Sequence, residues 1–237
     1  MDLFVDMHSH VIWGVDDGAE QKAETFRMLK EAAEDGIGKI ICTPHVTPGV
    51  YEFPEEEFLA HFKEAEEFIR REGLDLKLYT GAENLYTDNT PRMLREGRVT
   101  TLAGTKHVLV EFSPTDTREH IYEALQKVAG CGYIPVIAHM ERYPAIRTAG
   151  QVREMKSRFR AMVQINARSL TRRPPLLRRG FFNGIFREGL VDFVATDTHA
   201  AEGRGTCMTA GMDALREKYG EDTGNRILEN AERLTEW

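Results

Sequence analysis

Short apolar runs alternate along the chain with longer segments whose apolar residues recur at every third or fourth position. Runs such as 108–110 and 135–137 are apolar throughout, which is typical of parallel strands covered on both faces. The segment with Phe58, Phe62 and Ala65 shows helical spacing, as do several others. The predicted strands are 3–6, 39–42, 77–80, 107–112, 134–138, 161–165 and 193–195.

This alternation predicts an α/β fold, and specifically a single distorted (β/α)7 TIM-like barrel over residues 1–237. A chain of 237 residues is long enough for one such core. In parallel barrels the chemistry gathers at the C-terminal ends of the strands. Reactive side chains at those positions are therefore candidates for a functional site.

Nine histidines and carboxylates follow the predicted strands. They are His8, His10 and Asp17 after the first strand, His45 after the second, Glu83 after the third, Glu111 after the fourth, His139 after the fifth, and Asp197 and His199 after the seventh. The sixth strand, which ends near Asn166, contributes none. Because these strand ends meet at one mouth of a barrel, the pattern predicts a polynuclear metal site there.

The ligand types indicate which chemistry such a site would support. Five histidines with four carboxylates suit zinc, iron or manganese. Divalent ions activate water and neutralise the charge of a phosphate, so the residues themselves point to phosphate ester hydrolysis. A cysteine-based tyrosine phosphatase is excluded, because a C-x5-R motif would need arginine at Pro48, Ile137 or Asp213.

The composition of the chain indicates which partners and which cellular compartment to expect. Lys+Arg 31 against Asp+Glu 38 gives a net charge of −7, which disfavours nucleic-acid binding. We see no apolar run long enough to cross a membrane and no signal peptide. Three cysteines without a C-x-x-C motif fit a reducing compartment. We therefore expect a cytoplasmic protein that does not insert into membranes.

Seven motifs together resemble one protein superfamily. They are Asp6-Met7-His8-Ser9-His10, Val15-Asp16-Asp17-Gly18-Ala19, Thr43-Pro44-His45, Gly81-Ala82-Glu83, Glu111-Phe112, Ala138-His139-Met140-Glu141-Arg142-Tyr143 and Thr196-Asp197-Thr198-His199. In order and spacing they resemble the PHP (polymerase and histidinol phosphatase) superfamily. Within it they are most similar to the manganese-dependent tyrosine-protein phosphatases of bacterial capsule and exopolysaccharide systems.

The resemblance implies a ligand set for three divalent ions, with manganese expected and iron, zinc or magnesium as alternatives. It assigns the first ion to His8, His10, Glu83 and Asp197, the second to Glu83, Glu111 and His139, and the third to Asp17, His45 and His199. It also implies that Arg142 and Arg204 hold the phosphate. A salt bridge between Arg142 and Glu141 is the structural alternative.

The implied activity is hydrolysis of phosphotyrosine by metal-activated water. The implied substrate is a phosphotyrosine protein, the tail of a bacterial tyrosine autokinase that controls polysaccharide synthesis. Two alternatives stay open: a small-molecule phosphatase such as a histidinol-phosphate phosphatase, and an inactive regulator that binds the kinase tail. Oligomeric state is open as well.

Several reactive residues are expected to have structural roles instead. We expect Asp16 to be structural and Cys42 to be a buried strand residue. The remaining histidines, His61, His107 and His120, fall away from the ligand positions. The arginine-rich segment 172–179 is expected to be a solvated loop.

Overall fold

Nine parallel strands alternate with helices in the computed structural model, which describes residues 3–236. The strands are β1 (Phe4–Ser9), β2 (Ile37–Cys42), β3 (His45–Val46), β4 (Lys77–Thr80), β5 (Glu83–Leu85), β6 (His107–Glu111), β7 (Ile134–Ile137), β8 (Met162–Asn166) and β9 (Phe193–Ala195). The helices are α1 (Lys22–Glu34), α2 (Glu55–Glu72), α3 (Thr90–Arg95), α4 (Arg118–Gly130), α5 (Ala149–Phe159), α6 (Ala167–Leu170), α7 (Arg179–Arg187), α8 (Met208–Tyr219) and α9 (Glu221–Glu232).

Hydrogen bonds join the strands into two parallel sheets. We call each position around the barrel a stave, and some staves contain one strand from each sheet. One sheet has the order β1-β2-β4 and the other has the order β3-β5-β6-β7-β8-β9. β3 follows β2 after only Thr43 and Pro44, and β5 follows β4 after only Gly81 and Ala82. The second and third staves are therefore each split in two, and seven staves result from nine strands.

The first and last staves meet and close the curled sheet. Ser9 pairs with Thr198 in a parallel bridge. The Asp197 amide donates to the His8 carbonyl and the His10 amide donates to the Thr198 carbonyl, each at 2.9 Å. The expected distorted seven-stave barrel is confirmed. The seven predicted strands correspond to these seven staves, of which the second is interrupted at Thr43 and Pro44 and the third at Gly81 and Ala82.

The core has an inner and an outer layer. Side chains that point inward from the staves fill the barrel, which is therefore packed and not a pore. The staves and the residue that follows β7 contribute Val5, Met7, Ile41, Leu109, Val136, Ala138, Phe193 and Ala195 to this inner cluster. Leu102 from the turn before β6, Ala231 from α9 and Leu234, which follows α9, complete it. The outer cluster joins the helices to the other face of the sheet, and Leu29 and Val152, for example, are fully buried there.

A carboxylate from another element caps the start of α8. Cys207, at the N-cap position, makes no side-chain bond to the helix. Instead, Asp35 at the end of α1 accepts hydrogen bonds from the amides of Met208 (2.6 Å) and Thr209 (3.1 Å). These bonds satisfy helix donors that would otherwise have no partner.

We expect Asp35→Ala to lower the free energy of unfolding by about 1 kcal/mol, the typical cost of a lost cap. Denaturant titration followed by circular dichroism would measure the change. Glu34→Ala, at the exposed neighbouring position, is the matched control and should change stability little. Equal stability of the two variants would contradict the capping role.

Candidate metal centre

All nine predicted ligands lie together at the C-terminal mouth of the barrel. The potential ligand atoms of eight of these residues form three groups, within each of which every atom lies within 4.8 Å of the others. The groups are His8, His10, Glu83 and Asp197; His10, Asp17, His45 and His199; and His45, Glu83 and Glu111. His10, His45 and Glu83 each belong to two groups, so the three groups are contiguous.

The first group is the most deeply buried. His8 Nε2 and His10 Nε2 lie 3.2 Å apart and both face Glu83 Oε2, at 2.9 and 3.3 Å. The side chains of these three residues are fully buried. Asp197 Oδ1 completes the group at 3.6 Å from His8 Nε2. Four side chains thus direct their polar atoms at one small volume.

The second group reaches the surface. Asp17 Oδ1 lies 3.3 Å from His45 Nε2 and 3.4 Å from His199 Nε2. The Asp17 side chain is 64% exposed and that of His45 is 32% exposed, whereas His199 is buried. The resemblance implied Asp17, His45 and His199 as one set, and the structure places the three together.

The third group differs in one member from the set that the resemblance implied for the second ion, which was Glu83, Glu111 and His139. It contains His45, whose Nδ1 lies 3.2 Å from Glu83 Oε2 and 3.7 Å from Glu111 Oε2. His139, the implied ligand, lies on the other oxygens of the same carboxylates, with Nε2 at 2.8 Å from Glu83 Oε1 and 3.6 Å from Glu111 Oε1. The two carboxylates therefore have a histidine on each side.

Side chains outside the nine orient the imidazoles. Asp16 Oδ2 accepts from His10 Nδ1 at 2.6 Å, and Gln164 Oε1 accepts from His8 Nδ1 at 3.3 Å. Contacts of this kind fix the ring orientation of metal-binding histidines. Asp16 is thus structural, as expected, but it acts directly on the site.

The sixth stave supplies positioning residues that the sequence analysis missed. Gln164 Oε1 also accepts from the His139 amide at 2.6 Å, and Asn166 Nδ2 donates to Asp197 Oδ2 at 2.8 Å. Both residues are buried in β8 and are two positions apart, so they point to the same face. Polar residues at alternate positions of a buried strand were the signal that could have revealed them.

Two of the candidate ligands have strained backbones. His139 has φ 28° and Asp197 has φ 52°, in the left-handed region that residues other than glycine seldom adopt. Strain of this kind concentrates at functional sites, where the surrounding structure enforces it. In both cases the unusual conformation occurs where the strand ends and the side chain joins the cluster.

Burial and the charges within the cluster shift the pKa values of its members in opposite directions. Burial raises the pKa of Glu83, but His8, His10 and His139 outweigh it and hold this pKa well below the usual range. Burial and the neighbouring Glu83 raise the pKa of Glu111 to about 7. Burial and the nearby His10 lower the pKa of His199 to about 4. Groups that lie close together in the cluster therefore differ widely in how readily they bind a proton.

These features fit divalent metal ions. Asp197 Oδ1 and His199 Nε2 are buried and have no hydrogen-bond partner among residues 3–236. Unpartnered buried polar atoms are costly unless they bind something. The donors are imidazole nitrogens and carboxylate oxygens, which suit zinc, iron and manganese. The cluster is therefore able to hold metal.

Two arginines border the cluster. Arg142 donates to Asp197 Oδ2 at 2.5 Å, and an Arg204 nitrogen lies 3.7 Å from Asp197 Oδ1. Their side chains are 43% and 47% exposed. Within residues 3–236 the ion-pair partner of Arg142 is Asp197, so the alternative of an Arg142–Glu141 salt bridge was wrong. Glu141 accepts from Ser169 Oγ at 2.7 Å.

The other reactive residues lie elsewhere. His61 stacks on Trp13, His107 lies beside Thr105, and His120 packs against Tyr86. Cys42 is fully buried, and burial raises the pKa of its thiol.

The arginine-rich segment 172–179 is mostly exposed, as expected for a solvated loop. Arg172, Arg173 and Arg179 are exposed. Arg178 is half-buried and donates to the carbonyls of Ile146 and Glu141, so it ties the loop to the segment that follows β7.

Comparison with known proteins identifies the family. The profile described as "Capsular polysaccharide synthesis, CpsB/CapC" matches residues 4–236. The chain belongs to the CpsB/CapC family. Among its relatives, the tyrosine-protein phosphatase CpsB of Streptococcus pneumoniae is 28% identical, and the match covers 94% of each chain. The tyrosine-protein phosphatase YwqE of Bacillus subtilis is 27% identical over 97% of this chain and 91% of its own.

A solved structure of the CpsB/CapC family shares the fold. The match is one of the crystal structures of YwqE from Bacillus subtilis and CpsB from Streptococcus pneumoniae, two proteins described as "unique metal-dependent tyrosine phosphatases". The TM-score is 0.87 at 28% identity, and the match covers 97% of this chain and 93% of that chain. In addition, none of the helices described between residues 3 and 236 has the length and apolar character needed to cross a membrane.

Replacing Gln164 tests how far the sixth stave supports the cluster. Gln164→Leu would leave His8 Nδ1 and the His139 amide without their buried acceptor, so we expect metal affinity to fall about 10- to 100-fold. Calorimetric titration with Mn²⁺ would measure it, with circular dichroism to check folding.

Two further variants make that result specific. Gln164→Glu keeps an acceptor oxygen and should retain more affinity than Gln164→Leu. Gln126→Leu, an exposed glutamine on α4, should bind metal as the wild type does. Unchanged affinity in Gln164→Leu would contradict the positioning role.

Proposed function

We propose that this CpsB/CapC family member is a metal-dependent protein-tyrosine phosphatase. The observation that carries the proposal is the cluster of nine imidazole and carboxylate side chains at the mouth of the barrel. Eight of them form the three donor groups, the ninth, His139, contacts Glu83 and Glu111, and two partly exposed arginines border the cluster. Relatives matched over nearly the whole chain are named tyrosine-protein phosphatases.

The ligand assignment is part of this proposal. We assign His8, His10, Asp17, His45, Glu83, Glu111, His139, Asp197 and His199 to three divalent ions, with manganese as the expected metal. Three contiguous groups of donor atoms support the number of ions. Ions held there would activate water and neutralise charge on the phosphate. Their positive charge would also offset the net charge of −7 on the chain.

The protein's own residues would bind and orient the phosphate. A guanidinium group presents a planar set of donors that matches phosphate oxygens. Arg142 is held beside the cluster by Asp197, and the charges of Asp197, Glu141 and Glu83 raise its pKa, so it stays charged. Arg204 lies against the same carboxylate. We propose that both arginines hold the phosphate of the substrate.

A cysteine nucleophile has no support from the geometry. Cys42, the cysteine on the staves, is buried and its raised pKa keeps the thiol protonated. Phosphoryl transfer depends mainly on positioning and electrostatics and does not require a protein nucleophile. Water is therefore the proposed attacking group.

We propose that the substrate is a phosphotyrosine protein, the tail of a bacterial tyrosine autokinase that acts in polysaccharide synthesis. The description of the family as acting in capsular polysaccharide synthesis supports this choice. A cytoplasmic location is also proposed, and three cysteines without disulfide bonds agree with it.

The central test compares phosphotyrosyl peptide with histidinol phosphate in manganese-loaded protein. We expect the peptide to be preferred, and chelation to abolish its hydrolysis. Glu83→Gln, which removes the charge shared by two groups, should lower both bound metal and activity by about 100-fold or more. Glu123→Gln, on the exposed face of α4, should change neither.

Other outcomes would favour other functions. A strong preference for histidinol phosphate would overturn the substrate assignment. Retained binding of a tyrosine-rich peptide without hydrolysis of any phosphate ester would favour an inactive regulator.

Replacing Arg142 separates phosphate binding from metal binding. We expect Arg142→Ala to lower kcat/KM about 10- to 100-fold, the usual effect of losing a hydrogen bond between charged groups. Metal content, measured by elemental analysis, should not change. Arg70→Ala, an exposed position on α2, is the control. Normal kinetics in Arg142→Ala would return this residue to a structural role.

A further inference from the structure

The cluster is open to solvent on one side only. Asp17, His45 and Glu111 have side chains that are 64%, 32% and 23% exposed. The side chains of His8, His10 and Glu83 are fully buried, and those of His139, Asp197 and His199 are at most 4% exposed. A substrate must therefore reach the cluster across its exposed members.

A shallow depression leads to this open side. It has a volume of about 430 Å³ and is lined by Gly14, Val15, Asp16, Asp17, His45 and Tyr51. Two of the candidate ligands, Asp17 and His45, thus form part of its wall. Tyr51 supplies the aromatic part of the same wall.

Tyr51 is unusual in its exposure. It is 47% exposed, and every other aromatic side chain of residues 3–236 is buried or half-buried. Its neighbour Val50 is 76% exposed. Isolated exposed apolar residues are ordinary, but this ring lies beside candidate ligands at the entrance to the site.

The exposed ring is also held in place. The Tyr51 hydroxyl donates to the Val15 carbonyl at 3.0 Å. The backbones of Thr47 and Tyr51 exchange two hydrogen bonds of 2.8 Å, which form a tight turn. Thr87 Oγ1 donates to the Pro48 carbonyl at 2.8 Å and fixes the turn from the other side. A ring already fixed in position loses little freedom when a ligand contacts it.

We infer that Tyr51 is a specificity-determining residue that contacts the aromatic ring of the phosphorylated substrate. This inference rests on the proposed function. Aryl phosphates carry a ring next to the phosphate, and alkyl phosphates do not. When the phosphate lies at the cluster, a ring attached to it extends toward the open side, where the Tyr51 ring is available for stacked or edge contacts. Tyr51 therefore favours aryl over alkyl phosphate esters.

Binding of two phosphonates tests the inference without catalysis. Phenylphosphonate and methylphosphonate share the anionic group and differ in the ring. In manganese-loaded wild-type protein, calorimetry should show tighter binding of phenylphosphonate. We expect Tyr51→Ala to reduce the ratio of the two affinities about 3- to 10-fold, with methylphosphonate binding and metal content unchanged. The ratio of kcat/KM for phosphotyrosine over phosphoserine should fall by a similar factor.

Two control variants separate the ring from its surroundings. Tyr51→Phe removes the hydrogen bond to Val15 but keeps the ring, so it should retain the wild-type ratio. Leu59→Ala removes an exposed apolar side chain on α2 and should also retain it. If Tyr51→Phe loses the ratio as Tyr51→Ala does, the anchoring bond and not the ring is responsible, and the inference is overturned.

The remaining outcomes also decide the question. An unchanged ratio in Tyr51→Ala, or an equal loss of affinity for both phosphonates, would overturn the role of Tyr51 and leave the proposed function intact. A wild-type protein that hydrolyses no phosphotyrosine would overturn the proposed function, and the ratio of phosphonate affinities would still report on Tyr51.

Discussion

The pairing of the first and last staves is the constraint on which the site depends. Asp6, fully buried in β1, accepts a hydrogen bond from the Thr196 amide at 2.9 Å and another from the Thr196 hydroxyl. These residues are 190 positions apart in the chain. Burial raises the pKa of Asp6 to about 6 even though both bonds favour its charged form. The same closure brings His8 and His10 against Asp197.

Hydrogen bonds between staves also explain why strain is tolerated at the site. Backbone in a sparsely populated conformation costs about 1–3 kcal/mol for each residue and persists only where the surroundings enforce it. Asp197 is held by its amide bond to the His8 carbonyl and by Asn166, and His139 is held by Gln164. The hydrogen bonds that stabilise the barrel therefore also set the directions of two candidate ligands.

The buried and the exposed members of the cluster have different roles. The buried members have their second polar atoms engaged by neighbours such as Asp16 and Gln164, so they form a rigid floor. The exposed members, Asp17 and His45, line the same depression as Tyr51, whereas Arg142 and Arg204 border the buried Asp197. Such an arrangement holds charge in a fixed place before the substrate arrives, which is what electrostatic catalysis requires.

The sequence by itself determined the α/β alternation and the strand ends that carry the nine candidate ligands. Both are local properties, because apolar runs and the residues that follow them can be read directly along the chain. Only the tertiary structure decided that the second and third staves are each split in two, that His45 joins Glu83 and Glu111, and that Gln164 and Asn166 support the site. It alone also placed Tyr51 at the entrance. Each of these depends on the register between distant strands or on a turn packed against another loop, and local spacing does not specify which side chains meet across a closed sheet.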